Sequence, residues 1–492
     1  MSSIYLAVLC KSNDVKEYGF NKILEPLLED LAHLEEVGIF IPSVGHFVKG
    51  TVHVVIADNL GAHSIAGYVE SFSSEYYCRF CTGKSSEIQI NEVRSGGFSL
   101  RKRESYDAHL KSAQQTGSCC FGVKKECVFS TRLAHFHVLS GYPPDVMHDV
   151  FEGVVPFELK HCLSMLLSKK YFTFEFLNER IVNFPYKWTD KTNRPHAIPR
   201  SMFSQNTIGG NAHENWNLIR LLPFLVGHMV PEDEPAWLVL MDLKDIVELV
   251  VSPVHTDESI AYLDGKISEH RQRFQEVFPG VKLIPKEHFL EHYPELIKSY
   301  GPLVHLWTMR FEAKHHFFKQ VARVTNCFKN IPLTLAAKHQ LMISHSLKSY
   351  HLEKSALDVS TVSTVPLTVL RTEITQVIQD KYPDTEFVQI TTSVTSKGLS
   401  YRNGMIVVCR SLDGLPEFAE IIQMCIVQKG LCFVLKGLCG WYREHFRAFE
   451  LTSSPSREIF FLELSELADG YPLADYKVGG LRLVSLKRQI HS

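Results

Sequence analysis

The periodicity of apolar residues changes twice along the 492-residue chain, so no single repeating architecture accommodates it. The first 85 residues alternate. Ile4–Leu9 is an apolar run of strand length, and Tyr18–Glu36 places Leu24, Leu27, Leu28, Leu31 and Leu34 at helical spacing. Thr51–Ala57 (TVHVVIA) is β-branched and runs into Asp58-Asn59-Leu60-Gly61, good turn chemistry. Strand, helix, strand predicts a crossover unit in a partly parallel α/β sheet. Residues 86–130 are polar and rich in Ser and Gly, an irregular excursion. From about 144 to 325 the spacing is helical, over Asp145–Leu167, Asn211–His228, Glu234–Val251 and Ser259–Phe278. Beyond about 355 Thr and Val become common. Short strands are expected there at Met405–Cys409, Ala419–Val427, Leu431–Leu435, His445–Leu451 and Glu458–Leu464, forming a small all-β unit of sheet or barrel type.

With 45% apolar, 22% charged and 11% aromatic residues, the composition is that of a globular protein and excludes disordered, collagenous or fibrous classes. At roughly 150 residues per domain, two to four structural units are expected. Lys and Arg number 52 against 54 Asp and Glu, a net charge of -2, so the chain as a whole is no nucleic-acid coat and any DNA contact must be a local patch. The apolar stretch Ala236–Val254 is broken by Asp242, Lys244, Asp245 and Glu248, which predicts no membrane span. The first residues carry no basic leader, so a soluble intracellular protein with reduced thiols is expected. In that setting close cysteine pairs read as metal ligands.

One such pair is Cys78-Arg79-Phe80-Cys81, whose spacing lets two thiolates reach one tetrahedral zinc, although a redox pair or two buried small apolar residues would share it. Far downstream, His288-Phe289-Leu290-Glu291-His292 sets two imidazoles at i and i+4, one above the other on a helix face. Together they would complete a Cys2His2 site, with 206 residues between the pairs. Two carboxylates frame them: Asp58 ends the second strand-like run, and Glu312 lies in Trp307-Thr308-Met309-Arg310-Phe311-Glu312. Acids so placed can gather two Mg²⁺ ions for phosphodiester transfer. Taken singly, Asp58 also serves as a turn residue and Glu312 as a solvated helix residue.

The order of Asp58, CRFC, PPDVMHDVFEGVV (143–155), PKEHFLEHYPELIKSYGPL (285–303) and WTMRFEAKHHFFK (307–319) resembles the catalytic region of CACTA (En/Spm)-type transposases. It is also similar in layout to Transib transposases and the recombination-activating recombinase. The resemblance covers roughly residues 1–330. It implies a partial RNase H-like core over 1–85, an irregular segment and α-helical insertion over 86–284, and a histidine motif with the Glu-bearing helix closing the core over 285–355. The β-rich domain follows at 365–492. It further implies a DDE transposase-like protein in the nucleus, with Asp58 and Glu312 as the second and third catalytic acids and Cys78, Cys81, His288 and His292 as ligands of a structural zinc clasp. The family's first aspartate sits on the first strand of its fold, and no Asp in residues 1–57 replaces it; Asp14 would stand at the tip of the wrong strand. With the first two strands and that acid missing, the ancestral Mg²⁺-dependent cleavage and strand transfer are expected to be lost, as in a truncated copy or a domesticated derivative. The alternatives are a non-catalytic DNA- or protein-binding factor that uses the C-terminal domain, and an unrelated zinc-dependent hydrolase.

Other features are weighed on the same footing. Asp145, His148, Asp149 and Glu152 fall at i, i+3, i+4 and i+7 and are expected to share one helix face, as an acidic cluster favoured by the helix macrodipole after Pro143-Pro144, with a metal-binding face as the alternative. Cys119, Cys120 and Cys127, with His135 or His137 nearby, fit no common zinc spacing and read as free thiols. Arg101-Lys102-Arg103 reads as a solvated loop, with a DNA contact or nuclear entry as the alternative. Lys314, His315, His316 and Lys319 form the best local basic patch, with Arg310 beside them. Cys439-Gly440-Trp441-Tyr442 reads as a turn in a C-terminal domain that serves as a packing or partner-docking module, with a small barrel that binds a peptide or nucleic acid as the alternative.

Overall fold

A computed structural model describes residues 4–326, 328–350, 357–359, 361–412, 414–427, 430–454 and 458–490; the end of the expected 285–355 segment, residues 351–355, lies outside them. The chain is mixed α and β and forms two compact units, Met1–Val154 with Asp257–Tyr350, and Val155–Thr256 with His351–Ser492. These divisions do not follow the boundaries drawn from sequence texture, because the helical stretch is shared between the two units.

The first unit is helical. Its helices include Ser12–Glu36, Asn59–Ala66, Arg103–Thr116, Asp257–Val277, Pro285–Glu291, Tyr293–Tyr300, Met309–Thr325 and Ile331–Tyr350. Among its described residues the β-structure is a hairpin of Ile39–Ile41 with His46–Val48, joined by three isolated bridges elsewhere. The expected strands Ile4–Leu9 and Thr51–Ala57 therefore need correction, since neither enters a ladder and the parallel crossover does not form. A β-branched run states only what a segment can do when a partner strand accepts its hydrogen bonds. Here Val55 N–H donates instead to the Gly141 carbonyl at 2.8 Å. One core of this unit gathers Leu28, Ala62, Ala66, Tyr68, Tyr106, Val123 and Phe136, and a second gathers Tyr77, Cys78, Cys81, Ile88, Phe98 and Phe289.

The second unit packs helices with an antiparallel sheet. Ala212–Val226 starts with a reciprocal cap, Asn211 accepting from the Glu214 N–H while the Glu214 carboxylate accepts from the Asn211 N–H. Pro235–Val250 has Pro at its first turn, where the missing N–H costs nothing, and buries most of its side chains. The main sheet runs in the order Asp469–Leu473, Ile406–Leu412, Leu415–Val427, Gly430–Arg443, Ala448–Ser453, Leu481–Val484, Asp475–Val478. Four of the five strands read from sequence lie within ladder strands over most of their length, and the fifth, His445–Leu451, forms as Ala448–Ser453 after a short 3-10 turn at Glu444–Phe446.

Two expectations for this region are corrected. Cys439–Tyr442 is not a turn: it lies in the 14-residue strand Gly430–Arg443, where Trp441 faces Glu450 and Tyr442 faces Phe449 across the ladder. Nor is the C-terminal part an all-β unit by itself. It contains the helix Thr372–Lys381, and it shares buried polar contacts with the helical stretch, such as Trp237 Nε1–H to the His445 carbonyl at 3.2 Å. In a smaller three-stranded sheet the hairpin Ser393–Ser396 to Leu399–Arg402 turns through Lys397 and Gly398, both at positive φ (49° and 83°), the geometry that a two-residue turn between right-twisted strands requires. Among the described residues no helix is long and apolar enough to cross a membrane.

Candidate functional site

Cys78, Cys81, His288 and His292 converge. Their ligand atoms all lie within 4.8 Å of one another, and among the described residues they are the one group of this kind. The Cys81 sulfur is 3.2 Å from His288 Nε2, the Cys78 sulfur 3.6 Å from His292 Nε2, and the two Nε2 atoms are 3.3 Å apart. Zinc–sulfur and zinc–nitrogen bonds of about 2.3 and 2.0 Å at tetrahedral angles give ligand–ligand edges of roughly 3.3–3.8 Å, so this donor set fits one such ion. All four side chains are buried.

Local sequence accounts for each half of the clasp. The CRFC turn lets the N–H two residues beyond each sulfur point back at it, Phe80 N–H to Cys78 at 3.3 Å and Gly83 N–H to Cys81 at 3.4 Å, and such donors favour thiolate. The two histidines occupy the short helix Pro285–Glu291 and its C-cap, so the i, i+4 spacing brings both rings to one side. Burial opposes ionisation of Cys78, but hydrogen bonding from Cys81 and the two imidazoles outweigh it and hold the Cys78 thiol well below its ordinary value. Cys81, paired with that thiolate and desolvated, is pushed up. A metal supplies the charge that lets both ionise.

The surroundings brace this turn. Arg101 is buried and donates twice to the Cys78 carbonyl (2.8 and 3.1 Å) and once to that of Phe121 (2.7 Å). The reading of Arg101-Lys102-Arg103 as a solvated loop therefore needs correction: Lys102 and Arg103 are exposed, but they cap and begin the helix Arg103–Thr116, and Arg101 is buried with its guanidinium on two carbonyls from other segments. Glu291, next to His292, pairs with the buried Arg271 and accepts from the Val93 N–H at 2.8 Å.

Asp58 caps the helix Asn59–Ala66, accepting from Gly61 N–H at 2.6 Å, and is itself exposed. Glu312 lies in the first turn of Met309–Thr325, with its side chain half exposed and one oxygen 3.6 Å from His148 Nε2. His148 Nδ1 meets Asp145 at 2.5 Å, and the hydrogen bond to Asp145, stronger than the opposing effect of burial, raises the His148 pKa. Asp145 also accepts from the Thr308 hydroxyl (2.6 Å) and N–H (3.0 Å), at the cap of the Glu312 helix.

Asp149 does not join them, which corrects the expectation of one shared face. Asp149 N–H still donates to the Asp145 carbonyl at 2.9 Å, one turn away, but its carboxylate is held by partners from other segments. Asp149 points into a separate buried network. It accepts from Asn59 Nδ2 at 2.5 Å and from Tyr293 O–H at 3.1 Å, while Arg79 donates to Asn59 Oδ1 at 2.7 Å and to the Pro143 carbonyl at 3.1 Å. Burial, opposed by Arg79, pushes the Asp149 carboxyl up to about 6. Arg79, Asn59, Tyr293 and Thr308 are the contributors that sequence reasoning did not single out. The available signal was an arginine inside the CxxC and an Asn directly after Asp58.

Cys119, Cys120 and Cys127 carry free thiols, and Cys127 meets the Tyr142 hydroxyl at 3.4 Å. No protein-family model matches the chain, and no curated protein matches its sequence.

Proposed function

We propose that this chain is a transposon-derived, CACTA (En/Spm)-type transposase-like protein, which binds DNA without joining it. The observation that carries the reading is the convergence of two ligand pairs more than 200 residues apart in sequence, in the order and spacing that the resemblance requires. Zinc is the metal assigned to the clasp. Four protein ligands fill a tetrahedral site and leave no position for substrate, so its role is structural, and this argues against a zinc hydrolase. Mg²⁺ does not fit in the same way. Phosphodiester transfer by two metals needs several carboxylates around one point, and among the described residues no carboxylate group gathers as the clasp does. Glu312 instead faces His148.

DNA is assigned to the Met309–Thr325 and Ile331–Tyr350 helices. Residues 309–338 hold six Lys or Arg against one acid, in a chain whose totals are 52 and 54. The first of these helices buries none of its side chains. A non-catalytic DNA- or protein-binding factor is the second reading, favoured by that same surface. Duplex DNA titrated into the intact protein separates the possibilities. Reversing Lys314, Lys319 and Arg323 to Glu is expected to weaken binding at least about tenfold and to flatten the log K against log salt slope by about 2.7, at roughly 0.9 per phosphate contact. Unchanged binding contradicts the assignment. Added Mg²⁺ is expected to give no cleavage; cleavage abolished by Asp58→Asn would restore the enzymatic reading.

A further inference from the structure

We infer that Arg79, Asn59, Asp149 and Tyr293 act as positioning residues: a hydrogen-bonded strut through which metal in the Cys2His2 clasp orders the helix start at Asn59 and the Met147–Val154 segment. The inference rests on the clasp reading and not on catalysis.

Arg79 directly follows Cys78, and Tyr293 directly follows His292. From Arg79 the contacts run to Asn59 (2.7 Å), from Asn59 to Asp149 (2.5 Å), and from Tyr293 to the other oxygen of Asp149 (3.1 Å). On the far side, Cys78 Sγ and His292 Nε2 lie 3.6 Å apart. The four polar residues and the two ligands thus form one ring, hydrogen-bonded along one side and closed by the ion along the other. Every member is buried, so water cannot substitute for a lost partner. Arg79 is also fixed in place by the Phe80 and Phe289 rings, 4.5 and 5.4 Å from its guanidinium carbon.

The two middle members adjoin the residues of interest, since Asn59 follows Asp58 and Asp149 follows His148, which faces Glu312. Releasing the ion removes the link between the CRFC turn and the His292 cap, which then rest on their separate braces. The strut then loses the ion that closes its ring.

The test uses the full chain, stripped of metal and reloaded anaerobically with Co²⁺, whose visible bands report a tetrahedral sulfur–nitrogen site. Amide exchange is followed by mass spectrometry at 59–66 and 147–154. In the native protein, Co²⁺ is expected to slow exchange in both segments at least about tenfold. In Arg79→Met the bands are expected to remain while the Co²⁺ effect on 147–154 falls below about twofold. Tyr293→Phe removes one hydroxyl and leaves the ligands alone. It carries the test should Arg79→Met not fold, with an expected loss of about fivefold in that protection for a bond of about 1 kcal/mol. Equal Co²⁺ protection in both variants and the native chain overturns the strut and leaves the clasp standing. Absence of the Co²⁺ bands in the native chain overturns the clasp, and the strut with it.

Discussion

Cys78→Ser is expected to strip the metal from the protein and to lower the melting temperature of the unit containing Met1–Val154 and Asp257–Tyr350 by about 10 °C or more. The four ligand side chains have 2% or less of their surface exposed, so the vacated site is not repaired by solvent. A buried hydroxyl is a poor zinc ligand. The remaining thiol and the His292 ring would be left 3.2 and 3.3 Å from the His288 ring with no ion to organise them. Structural zinc sites are worth on the order of 10 kcal/mol of folding free energy. Losing even several of these gives the stated shift in a unit of this size. Elemental analysis and differential scanning calorimetry of the variant check this. Unchanged zinc content and melting temperature would contradict it.

The second large effect is expected in the other unit. Asp190, in the short helix Trp188–Thr192, is buried together with Arg220 of Ala212–Val226, the two meeting at 2.5 Å. Tyr476 donates to the other carboxylate oxygen at 2.8 Å, and Lys487 lies 3.3 Å away. Asp190→Asn leaves a buried guanidinium without its charge partner, at a cost of about 3–5 kcal/mol. The double change Asp190→Asn with Arg220→Met is expected to recover most of that loss, because an uncharged pair carries no desolvation penalty. A double variant no more stable than the single would show that the pair's charge is not the cause.

The same carboxylate fixes a pH dependence. Burial raises the Asp190 pKa, but Arg220 and Lys487 outweigh it and bring it down to about 2. A pKa depressed on folding means that the contribution is present above the unfolded value near 4 and is lost as pH falls toward 2. The acid limb of unfolding in that unit should flatten in Asp190→Asn.

Which parts of this were legible in the sequence follows from where the information resides. The C-terminal strands were legible because short runs rich in Val, Ile, Leu and Phe lie between Gly, Pro and Ser residues, and most of their antiparallel partners lie close by in sequence. Ile4–Leu9 and Thr51–Ala57 carry the same residue types, yet a strand needs a neighbour, and nothing in the run itself states whether one exists. The four clasp residues stood out because thiolates and imidazoles at those spacings have few other uses. Their convergence could not be read, since it depends on the packing of a turn against a helix some 200 residues away in sequence. Arg79, Thr308 and Tyr293 are ordinary polar residues until distant segments bury them. Asp149 was placed on the face of Asp145 by spacing alone, and spacing does not reveal that Asn59 and Tyr293, far away in sequence, take up its carboxylate.

The most direct test of the central claim is zinc-edge X-ray absorption on the intact, purified chain, with metal content measured on the same sample. The account predicts one zinc per chain with two sulfur neighbours near ~2.3 Å and two nitrogen neighbours near ~2.0 Å. A chain without stoichiometric zinc, or zinc coordinated by oxygen and nitrogen alone, would contradict it.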